Sequence, residues 1–145
     1  MIAVDTNVLV HAHRRDSPFH SRARAVLAQL AAGDRRWSIP WPCVHEFLAK
    51  VTHPRIFEQP TPMPKALEQV VAWMAATTCS ELGEPEGYVD ELSAVLLRSK
   101  VVGSRVHDAR IAAICMSHGV DELWTADRDF GRFAPLRVHN PLAPA

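Results

Sequence analysis

At 145 residues, with hydrophobic side chains at 48% and charged ones at 22%, the chain has the make-up of one ordinary globular domain, long enough to bury roughly two thirds of the surface its unfolded form exposes. Sixteen Lys plus Arg balance sixteen Asp plus Glu, so net charge leaves no footprint for a polyanion and any nucleic-acid partner has to be argued from a site. Cys43, Cys79 and Cys115 are too few and too far apart for a disulfide framework or a paired-cysteine zinc motif, and with no membrane-length apolar run and no signal-peptide pattern at the N-terminus a cytoplasmic setting is expected, with no membrane association.

Ile2-Ala3-Val4 is short, apolar and β-branched at two of its three positions, which predicts a buried parallel strand. After it, Val8, Leu9 and Ala12 share one helical face. Ser17 reads as the N-cap of the next helix, Pro18 as its first residue and Gly33 as its stop, with Phe19, Ala23, Val26, Leu27 and Leu30 at helical spacing. "RRWSIPW" predicts a brief second strand. Pro42 then opens a helix whose apolar face is Val44, Phe47, Leu48 and Val51, and His53-Pro54 ends it. Pro60, Pro62 and Pro64 mark the segment 54–64 as an extended excursion, not a linker between two cores. "KALEQVVAWMAA" and "EGYVDELSAVLLRSK" predict two more helices, with a candidate strand at "TTCSEL" between them. Ser104 is expected to cap the helix of "RVHDARIAAICMSHG" and Gly119 to close it. "DELWTADRDF" and "PLRVHN" supply two last short strands. Strands alternating with helices predict an α/β fold with a mostly parallel sheet covered on both faces, formed by residues 1–145 as a single domain. Such sheets bind ligands outside the carboxyl ends of their strands, and no glycine-rich phosphate loop is present.

Asp5 falls at the carboxyl end of the first predicted strand, where it can also serve simply as a helix N-cap. Glu46 lies beside Phe47, on the edge of its helix's buried face, Asp108 in the first turn of a helix, and Asp127 and Asp129 just past a late strand. Each position is ordinary by itself: a cap, a solvated glutamate, a dipole partner. Together they place carboxylates where strand ends and helix flanks can face one crevice. Two unpaired carboxylates about 4 Å apart repel by about 4 kcal/mol at an effective dielectric near 20, so such a cluster needs cations or protons. Oxygen-only ligands select Mg2+ or Mn2+, ions that support hydrolysis of a phosphodiester.

"VDTNVLV", the glutamate of "VHEFL", "HDARIAA" and "LWTADRDF" resemble, in order, the four motifs of the PIN-domain ribonucleases. Length and motif order are similar in particular to the VapC-type toxins of bacterial toxin-antitoxin pairs. The resemblance spans nearly the whole chain and implies an α/β/α sandwich acting as a metal-dependent endoribonuclease. Matched position by position, it implies Asp5, Glu46, Asp108 and Asp127 as the catalytic, metal-holding acids and Asp129 as a lesser candidate ligand. Thr6, Asn7 and Thr125 match the small polar residues that brace them. It also implies an RNA substrate (tRNA, rRNA or mRNA), a cognate protein antitoxin entering the active-site groove, and a homodimer. The excursion at 54–64 lies outside the family pattern.

Other chemistries fit less well. "HEFLAKVTH" fails as a zinc HExxH motif because position 49 is Ala49, and His11 and His13 point to different sides of one helix. An aspartyl-phosphate phosphatase of the haloacid dehalogenase type, with Asp5 as nucleophile, expects a second aspartate where Asn7 stands. A catalytically inert PIN-like RNA-binding scaffold would be favoured by loss of an acid, and none is lost. His45 and His107 flank the acids and are candidate phosphate contacts, and Arg14, Arg15, Arg105, Arg110, Arg128 and Arg132 are, as a group, candidates for holding RNA. Trp37, Trp41, Trp73 and Trp124 could form a base-stacking platform, but Trp37 and Trp124 fall beside predicted strands and Trp73 on an apolar helix face, so core or dimer packing is the expectation.

Overall fold

Five short strands, β1 (Ile2–Val4), β2 (Trp37–Pro40), β3 (Cys79–Leu82), β4 (Glu122–Trp124) and β5 (Arg137–His139), lie side by side in the order β3-β2-β1-β4-β5. A computed structural model describes residues 1–144. Every neighbouring pair is parallel, with Ile2 opposite Trp37 on one side of β1 and Val4 opposite Trp124 on the other. The expected mostly parallel sheet is therefore wholly parallel. β1 and β2 are buried along their full length, as a strand covered on both faces must be.

Six helices connect the strands: α1 (Thr6–His13), α2 (His20–Ala32), α3 (Trp41–Val51), α4 (Met63–Met74), α5 (Tyr88–Ser99) and α6 (Val106–Ser117). From β1 through β2 to β3 the chain steps one way, and α1 to α4 pack on one another. From β3 it crosses back past β1 to β4, and α5 and α6 pair with each other. Right-handed crossovers running in opposite directions put the two helix groups on opposite faces, giving an α/β/α sandwich. The reversal falls at β1, so a crevice opens between the carboxyl ends of β1 and β4. No helix among the described residues is long and apolar enough to cross a membrane.

Two predicted caps are corrected. Ser17 does not start α2, which begins three residues later at His20 with Phe19 as its N-cap. The Ser17 hydroxyl is taken by the His11 ring, Nδ1 to Oγ 2.6 Å, and accepts from the Phe19 N–H, so it closes the α1–α2 turn instead. Ser104 does not cap α6 either. A 3-10 turn over Gly103–Arg105 runs directly into the helix and supplies its first backbone bonds. Gly119 does end α6, with the positive φ of +66° that a glycine accepts without strain.

The excursion at 54–64 is shorter than expected because α4 starts at Met63. It folds back on the far end of α1: the Arg14 guanidinium lies 4.0 Å from the Phe57 ring centre and donates to the Gln59 carbonyl at 2.8 Å. His13 contacts Thr61 at 3.0 Å and Gln69 at 3.1 Å. α1 is about 12 Å long at eight residues, so this strap is held a helix length away from Asp5.

Candidate active site

Asp5 is the residue on which the crevice is built. Its backbone N–H donates to the Trp124 carbonyl at 3.0 Å, continuing the β1–β4 ladder by one step. Its side chain is 4% exposed and caps α1 through the Thr6 N–H at 2.8 Å. The two readings of Asp5, cap and site acid, are thus compatible: one oxygen caps while the carboxylate as a whole faces the strand ends.

Three residues lock that carboxylate, the same three expected to brace it. Asn7 Nδ2 donates to Asp5 Oδ2 at 3.0 Å and to Thr125 Oγ1 at 2.9 Å, while Asn7 Oδ1 accepts from the Ala126 N–H at 2.9 Å. Thr125 Oγ1 donates to Asp5 Oδ2 at 2.8 Å and accepts from the Asp127 N–H at 3.0 Å. Every proton and lone pair of the Thr125 hydroxyl and every polar atom of the Asn7 amide is therefore assigned. Thr6 Oγ1 donates to Glu46 Oε2 at 3.1 Å, tying the second acid to the first. On the other oxygen, Asp5 Oδ1 has the Thr6 N–H and a long contact, 3.5 Å, from the Cys43 thiol.

Burial holds the Asp5 carboxyl above the usual carboxylate range. The Thr125 and Thr6 hydrogen bonds pull the other way but do not offset it, and the Glu46 charge adds to the rise. Burial also pushes the Cys43 thiol far up, and the Cys115 thiol to about 12, both beside Asp5. These thiols stay protonated and inert, and Cys43 is a contact that sequence alone did not single out.

Two of the other acids, Glu46 and Asp108, line a cleft of about 410 Å³ with Pro42 and His45 of α3 and with Ser104, His107 and Arg110 at the start of α6. α3 and α6 come from opposite faces of the sheet and meet over its carboxyl edge. Glu46 is 44% exposed and pairs with Lys50 at 2.9 Å. Asp127 Oδ1 accepts from the Asp129 N–H at 2.9 Å, capping the turn after β4. Asp129 is paired with Arg105, and with Arg132 at 3.6 Å, and Arg105 also donates to Asp108 at 3.1 Å. Glu46 and Asp108 thus share the cleft, Asp5 and Asp127 are joined through Thr125, and Asp129 is turned toward arginines. Among the described residues no three His, Cys, Asp or Glu side chains form a ready-made metal cage. Lys50 holds Glu46 instead, and Arg105 stands between Asp108 and Asp129.

The arginines sort themselves. Arg14 pairs with Asp16 at 2.6 Å, Arg110 with Glu84, and Arg105 and Arg132 with site acids, while Arg15 and Arg128 have no ion pair among the described residues. The undifferentiated basic group expected from sequence is therefore mostly spoken for. His45 and His107 are exposed on the cleft wall. Trp37 is fully buried and Trp73 and Trp124 pack against the core, but Trp41 is 38% exposed at the head of α3, beside His45.

A doubly covered parallel sheet with Asp5 locked at its switch point, and Glu46 and Asp108 lining the cleft beside it, defines the class: an α/β/α domain with acids at the carboxyl edge. The chain belongs to the PIN-domain family, whose model matches residues 2–136. It is 32% identical over 139 residues to ribonuclease VapC48 of Mycobacterium tuberculosis, covering 96% of each chain. Among solved structures it is similar to VapBC2 from Rickettsia felis bound to a DNA fragment from their promoter, with TM-score 0.69, 16% identity and coverage of 97% of this chain and 98% of that one. It is also similar to M. tuberculosis VapC20, described as a sarcin-ricin loop cleaving toxin, with TM-score 0.66, 14% identity and coverage of 90% and 93%.

Proposed function

We propose that this chain is a metal-dependent endoribonuclease, the toxin of a toxin-antitoxin pair, with residues 1–145 acting as one PIN domain in the cytoplasm. The observation that carries the reading is the buried Asp5 carboxylate, locked by Thr6, Asn7 and Thr125, at the switch point beside a cleft walled by Glu46 and Asp108. Its membership of the PIN-domain family and its likeness to ribonuclease VapC48 over nearly its full length support the same reading.

The donors fit Mg2+ or Mn2+. They are carboxylate oxygens, no thiolate is available, and Asp5 is a buried acid whose burial disfavours its charge, a cost that a nearby cation would relieve. Asp5, with Asp108 and Asp127, would hold the ion, Glu46 would complete the set, and Asp129 is the lesser ligand because it is committed to two arginines. When bound, such an ion acidifies an attacking water and stabilises the charge that develops on a phosphodiester oxygen. Glu46, open to the cleft and steadied by Thr6, would orient that water. His45 and His107 receive the flanking phosphates. An aspartyl-phosphate route is not favoured: Asp5 is nearly inaccessible and Asn7, at the acid/base position, has every polar atom bound within the lock.

The partners follow from the same reading: an RNA substrate, a cognate antitoxin, and a second copy of the chain. Met63, Leu67 and Val71 stand exposed at every fourth position of α4, an apolar face available to a protein partner. The deciding experiment is cleavage of RNA with Mn2+ supplied, and again with EDTA. Cleavage is expected to stop with chelator and return with added ion. Cleavage that survives EDTA refutes metal dependence, and RNA binding without turnover identifies an inert scaffold.

Thr125→Val keeps the side-chain shape but removes one donor and two acceptor contacts from the lock. Cleavage is expected to fall about 10- to 100-fold, as when a residue bracing a metal ligand is lost. Stability is expected to drop by about 1–3 kcal/mol in urea unfolding, because Asp5, Asn7 and the Asp127 N–H each lose a partner.

A further inference from the structure

Arg105 is the last residue of the 3-10 turn that leads into α6, and its guanidinium spans acids from two separate elements. Nη1 donates to Asp108 Oδ2 at 3.1 Å and Nη2 donates to Asp129 Oδ2. The side chain is 40% exposed, so the group reaches solvent beside Asp108, which lines the cleft, and is not built into the core. We infer that Arg105 is the resident counter-cation of this site, displaced from Asp108 when a divalent ion enters and then free to receive a phosphate oxygen of the RNA. The inference rests on the reading of Asp108 as a metal ligand.

The two acids are placed differently with respect to such a release. Asp129 keeps Arg132 as a second partner, through its carboxylate at 3.6 Å and through its backbone carbonyl at 3.1 Å, so losing Arg105 does not strand it. Asp108 has no ion-pair partner but Arg105 among the described residues, and it lines the cleft beside Ser104 and His107. An ion that takes Asp108 therefore frees one edge of the guanidinium next to the cleft. A planar fork of N–H donors suits two oxygens of a phosphate as well as it suits a carboxylate. Arg105 would then oppose ion binding and assist the reaction, two effects of opposite sign in one side chain.

That opposition is the test. Mn2+ binding is measured by titration calorimetry, without RNA, on the full chain and on Arg105→Gln and Arg105→Lys, and RNA cleavage is then measured at saturating Mn2+. Arg105→Gln is expected to bind Mn2+ about three- to tenfold more tightly, since a competing positive charge is gone. Its kcat/KM is expected to fall about 100-fold, the loss typical of one transition-state donor. Arg105→Lys keeps the charge without the fork and should bind Mn2+ close to the wild-type affinity while recovering only part of the rate. It also carries the test if the glutamine variant folds poorly by circular dichroism. Unchanged or weaker Mn2+ binding in Arg105→Gln overturns the inference, because an arginine that merely ties α6 to the turn after β4 would lower affinity and rate together. An unchanged rate at saturating Mn2+ overturns the phosphate role. Failure of the wild type and both variants to bind Mn2+ overturns the metal reading beneath it.

Discussion

Replacing Asp5 with asparagine is expected to lower RNA cleavage about a thousandfold or more while leaving the metal-free protein folded. The amide keeps one oxygen to accept from the Thr6 N–H, so the start of α1 persists. Its NH2 group meets the donors of Asn7 and Thr125, which costs about 1–3 kcal/mol. Against this, the substitution removes a charge that burial disfavours. The folded protein holds the Asp5 proton more tightly than the unfolded chain does. In the absence of metal, this group's contribution to stability is therefore lost as pH rises through its folded pKa, and the asparagine variant lacks that fall. Thermal unfolding in EDTA should place Asp5→Asn near the wild type, and the stabilisation that Mn2+ gives the wild type should be absent. Asp5→Ala is expected to behave differently. It leaves the Thr6 N–H and the Thr125 hydroxyl without their acceptor and takes one of the two acceptors of Asn7 Nδ2, at a site only 4% exposed, and should cost about 2–4 kcal/mol. Retained cleavage in Asp5→Asn would remove Asp5 from the catalytic set.

Phe47→Ala is expected to cost about 3–5 kcal/mol, a large part of the about 5–15 kcal/mol that holds an ordinary domain folded. Phe47 is fully buried on α3 and meets two rings edge-on: His13 of α1 at 5.4 Å and Trp73 of α4 at 5.1 Å. Removing it opens a cavity and two aromatic pairs at once, at the point where three helices are joined. Guanidinium unfolding should show a lower midpoint with little change in slope. Val71→Ala, at a residue 66% exposed, should stay within about 0.5 kcal/mol. Glu46 precedes Phe47 on the same helix, so cleavage should weaken with the fold, and a stable Phe47→Ala protein would refute the packing account.

The elements that sequence made legible are those where periodicity and burial agree. Val8, Leu9 and Ala12 on α1, and Val44, Phe47 and Val51 on α3, are buried as their spacing predicts. Asp5, Thr6, Asn7 and Thr125 were legible as candidates, and their joining is a property of the β1–β4 pairing. Capping was less legible, because a serine hydroxyl goes to whichever partner comes nearest. Ser17 went to His11, from the preceding helix, and Ser104 was made redundant by a 3-10 turn. The arginines could not be sorted in advance, since Arg110 finds Glu84 and Arg105 finds Asp129 only after folding. The i,i+3 spacing of Arg105 and Asp108 was the one signal on offer. Trp41 was hidden for the same reason: its exposure depends on what packs over the head of α3.

The central place of β1 has a consequence for how the protein is made. The first strand off the ribosome needs β2 on one side and β4 on the other, and the Asp5–Thr125 hydrogen bond closes a separation of 120 residues. Pairings that span the chain are slow to form and cannot form before both partners have emerged. A nascent chain therefore carries Asp5, Glu46 and Asp108 into the cell with no assembled lock around the first of them. Until translation has passed Thr125, no ribosome-bound chain can close the lock around Asp5.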